Sequence, residues 1–301
     1  MPKLSSIFVI ALLLSSFPDG GREAFALEGP AKEKPGLKRI GLVTDIRAIT
    51  PGEPFTVALL IEHLPGYHTY WRGPGIVGVA TRFDWSLPAG FTADEVEWPP
   101  PRKVLMAGIT AYGYHDRQLL LTRITPPEQI ADDEITLDAR IAWMACSVSC
   151  NPGVDDFSLT LPVHRDGAAE EKDAALTAEF EAVRRSVPPT APESWKIAPR
   201  SPAPDRIELD ITLPELSAPA GEEISFFCYD MQVDSDEPQK AKVIPGADEV
   251  RIRLQLARPE VAPRSPERLA GLLYRPSGWP GLDSPYVEVS VPWPPGTFPH
   301  E

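Results

Sequence analysis

Phe55-Thr56-Val57-Ala58-Leu59-Leu60-Ile61-Glu62 sets Phe55, Val57, Leu59 and Ile61 against Thr56, Ala58, Leu60 and Glu62. A period of two is the mark of a half-buried strand. Pro51-Gly52 signals a turn before it and Pro65-Gly66 a turn after it. Working outward, a β pattern starts at Leu37. Residues 67–71 are short and aromatic, and Gly73-Pro74-Gly75 breaks the chain after them. Residues 82–87 read as a strand closed by Pro88-Ala89-Gly90. Residues 102–106, 118–124 and 135–145 are further strands, and Phe157, Leu159 and Leu161 mark a last alternating one. Many short strands with turns between them predict a β-sandwich.

From 168 to 187 the pattern changes. Leu176, Phe180 and Val183 fall at helical spacing, with Glu170, Glu171 and Asp173 early and Arg184 and Arg185 late. Pro188-Pro189 ends this helix, which is expected to cover the first domain. Residues 188–204 are rich in Pro, Ser and Ala, the composition of a semi-rigid linker. The β pattern then resumes with Ile207, Leu209 and Ile211, and with strand candidates at 223–229, 249–257, 268–274 and 286–291. The expected organisation is all-β. It has one sandwich over 37–165, a helix and Pro-rich linker over 166–204, and a second sandwich over 205–294. The 36 prolines in 301 residues fit short strands better than helices.

The first residues read as a targeting segment. Lys3 is followed by an apolar run from Ile7 to Leu14 and a small-x-small site at Ala24-Phe25-Ala26. Residues 1–26 are therefore expected to be a cleaved signal peptide, with the mature chain secreted or periplasmic. The apolar run falls short of the roughly 20 residues that span a bilayer. A formal net charge of −14 argues against nucleic acids and anionic membrane surfaces as partners, since both select basic patches.

Export directs attention to Trp143-Met144-Ala145-Cys146-Ser147-Val148-Ser149-Cys150-Asn151-Pro152-Gly153, which holds two of the three cysteines. Exported thiols tend to be oxidised, and these two are close enough in sequence to form a disulfide. Cys146 ends an apolar run and is expected to be buried. Cys150 lies in a Ser/Asn/Pro/Gly turn and is expected to be exposed. The pair has three readings. It can exchange with another disulfide. It can be a staple, although so short a loop falls below the roughly 3 kcal/mol of a 15-residue one. Or, with Met144, it can bind Cu(I) as a soft site. Arg72 or His115 would lower a thiol pKa if folded beside it. His63, His68, His115, His164 and His300 are dispersed and show no zinc spacing. Cys228 is left over and reads as a buried small hydrophobe. Tyr70, Trp71, Tyr112, Tyr114 and Trp143 read chiefly as packing, with Tyr70, Trp71 and Tyr112 as candidates for a lid around the pair. No cofactor motif is present.

Several motifs occur in one order: Tyr70-Trp71-Arg72-Gly73-Pro74-Gly75, Phe83-Asp84-Trp85-Ser86-Leu87-Pro88-Ala89-Gly90-Phe91, Trp98-Pro99-Pro100-Pro101, Tyr112-Gly113-Tyr114, and Trp143-Met144-Ala145-Cys146 leading to Cys150, Pro152 and Gly153. Together they resemble the exported N-terminal region of the DsbD thiol:disulfide interchange family and its ScsB (suppressor of copper sensitivity) relatives. The second half resembles the ScsB branch more weakly, through Ile224-Ser225-Phe226-Phe227 and Leu269-Ala270-Gly271-Leu272-Leu273. The resemblance implies immunoglobulin-like sandwiches and a cysteine pair that passes reducing equivalents. It implies an exported thioredoxin-fold or disulfide isomerase-like protein as partner, and the ScsB association keeps copper as the alternative. In the family a transmembrane domain and a thioredoxin-like domain normally follow. Neither is legible in these residues, which leaves the electron source open, with a separate membrane electron transporter as one candidate.

Overall fold

A computed structural model describes residues 27–165, 172–214, 222–246, 249–264 and 266–293. The expected signal peptide lies outside the described residues, as do Glu170 and Glu171 of the expected helix start. The first strands are β1 (Leu27–Glu28), β2 (Lys32–Lys34), β3 (Leu37–Thr44), β4 (Phe55–His63), β5 (Thr69–Tyr70), β6 (Arg82–Ser86) and β7 (Thr92–Ala93). Next come β8 (Arg102–Met106), β9 (Ile109–Tyr114), β10 (Arg117–Thr125), β11 (Glu134–Cys146), β12 (Cys150–Pro162) and helix α1 (Ala174–Ser186). The remaining strands are β13 (Lys196–Ala203), β14 (Arg206–Leu213), β15 (Ser225–Cys228), β16 (Lys240–Pro245), β17 (Val250–Ala257), β18 (Arg268–Tyr274) and β19 (Tyr286–Pro292). Among the described residues the fold is all-β apart from α1, as expected.

In the first half, a sheet of order β1-β3-β4-β10-β7, with β2 paired to β3, faces a sheet of order β12-β11-β6. Val57, Leu59 and Ile61 of β4 meet Leu137, Ile141 and Trp143 of β11 and Leu159 of β12 in the shared core. The reading of β4 as half-buried is corrected here. Ala58 and Leu60, on its other face, are also buried, because Leu176 and Phe180 of α1 pack on them together with Leu119 and Leu121. A sheet covered on both faces loses its polar alternation. Asp173 caps α1, its carboxylate accepting from the Ala175 and Leu176 amides at 2.9 Å.

In the second half, the sheets β13-β14-β17-β16 and β15-β18-β19 enclose Leu209, Ile211, Leu254, Phe226, Leu273 and Val287. Lys196–Ala203 belongs to this structure, although its composition reads as linker. It is the edge strand beside β14, and edges tolerate proline because no ladder donor is needed on the outer side. Strand β9 was also not expected: Ile109-Thr110-Ala111-Tyr112-Gly113-Tyr114 lacks clean alternation because its last four residues are all buried.

A third small sheet, β5-β9-β8, lies between these groups and carries the contacts across. Tyr112 of β9 packs on Phe227 of β15 with ring centroids 4.6 Å apart, and Trp71 packs on Tyr229 at 5.2 Å. Sheet β15-β18-β19 therefore buries both faces, Phe226 toward its own core and Phe227 toward the first half.

Candidate functional site

Strands β11 and β12 form one hairpin in which Cys146 stands opposite Cys150. Its turn is Ser147-Val148-Ser149, closed by the Ser147 N–H donating to the Ser149 carbonyl at 3.0 Å. The expected turn at Asn151-Pro152-Gly153 is corrected: these residues lie inside β12. Gly153 is needed there for packing, since a Cβ on it would sit 2.3 Å from the Trp143 ring.

Cys146 and Cys150 are joined in a disulfide with Cα atoms 4.2 Å apart. The backbone explains the short separation. The N–H and C=O of Cys146 both point away from Cys150, to His68. The Cys146 amide donates to the His68 carbonyl and the His68 amide to the Cys146 carbonyl, each at 2.9 Å. Cys146 and Cys150 are thus a non-hydrogen-bonded cross-strand pair, the kind in which facing Cα atoms come nearest, about 4.5 Å. Directly opposed residues project to the same face, so His68, Cys146 and Cys150 form a row across three strands.

That face is not the sandwich core. Trp143 and Ala145 point into the main core, whereas Met144 and Cys146 point the other way, into a small cluster with Tyr70, Val104 and Ala111. Cys146 is fully buried, and Cys150 is exposed beside Val148, which is 93% exposed. This is the asymmetry expected from the apolar run and the polar turn.

The candidate lid residues separate. Tyr70 joins the Cys146 cluster. Trp71 and Tyr112 do not: they belong to the main core and its seam with the second half. Arg72 lies over the Tyr229 ring, 4.1 Å from its centroid, and is likewise turned to the second half. Met144 shares the Cys146 cluster. Among the described residues no group of three or more His, Cys, Asp or Glu side chains is arranged to hold a metal ion.

The reading of the histidines as dispersed needs correction, because strand pairing gathers three of them. His68 stacks edge-on to Tyr70 at 5.2 Å and to His115 at 5.8 Å. The Nδ1 of His63 donates to the Asp116 carbonyl at 2.8 Å, leaving Nε2 to accept from the Thr69 hydroxyl at 3.0 Å. The Nδ1 of His115 donates to the Tyr67 carbonyl at 3.2 Å. Burial, reinforced by His115 and His63, pushes the His68 pKa down to about 4, so its imidazole is neutral. Burial also lowers His63 and raises the Tyr70 phenol to about 12. His68 Nε2, Tyr70 Oη and Trp71 Nε1 are buried without a hydrogen-bond partner. His68 was missed as a site residue because only the pairing of its strand with the end of β11 reveals it.

Cys228 is buried, as expected, with its thiol 3.1 Å from the Asp230 carboxylate. Burial first, then Asp230, pushes its pKa far up, which makes it inert.

Residues 42–162 match the family model described as thiol:disulfide interchange protein DsbD, N-terminal. No curated protein matches the chain. Among solved structures, the N-terminal periplasmic domain of ScsB from Proteus mirabilis is similar, with a TM-score of 0.56 at 17% identity over 88% of this chain and 98% of that one. At this identity the likeness is one of fold. The match to a conserved domain protein from Bacillus anthracis spans 85% of this chain and 80% of that one, with a TM-score of 0.24 at 10% identity. Among the described residues no helix is long and apolar enough to cross a membrane.

Proposed function

Because residues 42–162 form a domain of the DsbD N-terminal family, we propose that this protein exchanges Cys146–Cys150 with the disulfide of an exported partner protein. The partner is of the thioredoxin-fold or disulfide isomerase-like class, and the exchange takes place in the periplasm. The observation that carries the reading is the disulfide itself, which spans one hairpin end with one sulfur buried and the other exposed. Exchange needs a sulfur that a second protein can reach and another that can resolve the mixed disulfide. In the reduced protein, the Cys150 thiolate attacks the partner's disulfide. A bond forms between Cys150 and one partner sulfur while the other partner sulfur leaves as a thiolate. Cys146 then attacks Cys150, closes the intramolecular disulfide and releases the reduced partner. Two electrons pass to the partner, and a separate membrane electron transporter would restore the dithiol.

The reduction potential of the pair, equilibrated against glutathione, tests this reading. Exchange predicts a value near or above roughly −200 mV; a value below about −300 mV identifies a structural staple and refutes it.

A further inference from the structure

Segment 70–78 packs on the buried sulfur's cluster through Tyr70 and touches the second half of the chain through Trp71, Gly73 and Gly75. Thiolate attack on a disulfide runs in line with the S–S bond, with the leaving sulfur on the far side. A thiol attacking Cys150 therefore arrives from solvent. One attacking Cys146 must arrive from the side opposite Cys150, where His68 stands as the next cross-strand neighbour. Tyr70 packs in the Cys146 cluster and edge-on to His68 at 5.2 Å, beside that approach. Gly78 in turn lies on Tyr70, since a Cβ there would sit 2.2 Å from the phenol ring.

This cover is poorly held by its own polar groups. His68 Nε2, Tyr70 Oη and Trp71 Nε1 are buried without partners, a condition that favours opening to water. Strand β9 ties it to the first half, through the pairing of Tyr70 with Gly113 and the Trp71 amide donating to the Tyr112 carbonyl at 3.0 Å, and the second half adds a further restraint. Trp71 and Tyr112 pack on Tyr229 and Phe227. The Ile76 amide donates to the Ser235 hydroxyl at 3.1 Å, and that hydroxyl donates to the Thr110 carbonyl at 2.7 Å. The Thr110 amide donates to the Asp236 carboxylate at 2.9 Å. The approach is close enough to require glycine: a Cβ on Gly73 would lie 2.4 Å from the Cys228 carbonyl oxygen, and one on Gly75 2.3 Å from Ser235 Oγ.

From these contacts we infer that the second half is a clamp. Ser235, through Ile76, and Phe227, through Tyr112, whose amide donates to the Pro74 carbonyl at 2.9 Å, are positioning residues that hold segment 70–78 over Cys146 and so confine attack to Cys150. The inference rests on the exchange reading above, yet its test needs no protein partner. Failure of the clamp and failure of that reading are therefore distinguishable.

Oxidised full-length protein is treated with reduced glutathione, quenched in acid, alkylated after denaturation and mapped by mass spectrometry. In the attack a glutathione–cysteine bond forms, the Cys146–Cys150 bond breaks and the other cysteine leaves as a thiolate, later alkylated. The unsubstituted protein should carry glutathione on Cys150 alone. Ser235→Ala, which removes the hydroxyl joining Ile76 and Thr110, should raise the rate of reduction roughly three- to tenfold, and Phe227→Ala, which removes the ring packed on Tyr112, at least as much. Both should also yield glutathione on Cys146. Tyr70→Ala, made without touching the second half, should do the same. If Tyr70→Ala opens the site while Ser235→Ala leaves rate and adduct position unchanged, the clamp is overturned and only the lid survives. Should Phe227→Ala fail to fold, Ser235→Ala decides alone.

Discussion

Gly153 lies opposite Trp143 in the β11–β12 hairpin, and the indole occupies the space a Cβ on Gly153 would need. Asn151-Pro152-Gly153 therefore serves the strand rather than a turn. Gly153→Ala should displace Trp143 from the main core and destabilise the protein by about 1–3 kcal/mol. Chemical denaturation checks this; a change below about 0.5 kcal/mol would contradict the packing account.

The helix on the outer face of the first sheet should matter to stability, not to redox chemistry. Phe180 is fully buried against Ala58, Leu60 and Leu121. Phe180→Ala should cost roughly 3–5 kcal/mol, and Asp173→Ala about 1 kcal/mol through loss of the N-cap. Neither should move the reduction potential of Cys146–Cys150. Equilibrium unfolding and glutathione titration of the same variants separate the two quantities.

Stability should fall on mild acidification. His68 and His63 have folded pKa values below the ordinary 6.5, so both are neutral in the fold. The unfolded chain then binds more protons between that value and the folded ones, and stability rises with pH across this window. Their contribution is complete above about pH 6.5 and is lost as the pH falls toward 4. Thermal unfolding should give a lower Tm at about pH 5 than at about pH 7.5, and His68→Gln should narrow the gap. An equal or higher Tm at the lower pH would contradict the burial of neutral imidazoles.

Thiol reactivity should rank the cysteines by exposure. After reduction under native conditions, iodoacetamide should alkylate Cys150 at least about tenfold faster than Cys146. Cys228 should stay unmodified until denaturant is added, being buried with its pKa pushed far up. Peptide mass mapping over time reads all three. Early labelling of Cys228 would show that the second sandwich opens.

What the sequence made legible follows a physical division. Strands that alternate or carry continuous apolar runs were readable, as in β4, β11 and β17, because burial of a face writes a local pattern. The unequal burial of Cys146 and Cys150 was readable for the same reason. Strand β13 was hidden by Pro199 and Pro202, whose compatibility with a sheet depends on lying at its edge. Trp71 and Tyr112 read chiefly as packing and are core residues, but their partners, Tyr229 and Phe227, lie far downstream and leave no local mark. The gathering of His63, His68 and His115 depends on register between distant strands, which no local spacing records.

The central claim is that Cys150 meets the partner and Cys146 resolves. Reduced Cys146→Ala and Cys150→Ala are each mixed with a purified, oxidised exported thioredoxin-fold protein and run on non-reducing gels. Cys146→Ala should give a persistent mixed disulfide mapped to Cys150, and Cys150→Ala should give none. Trapping by Cys150→Ala alone would reverse the two roles and contradict the account.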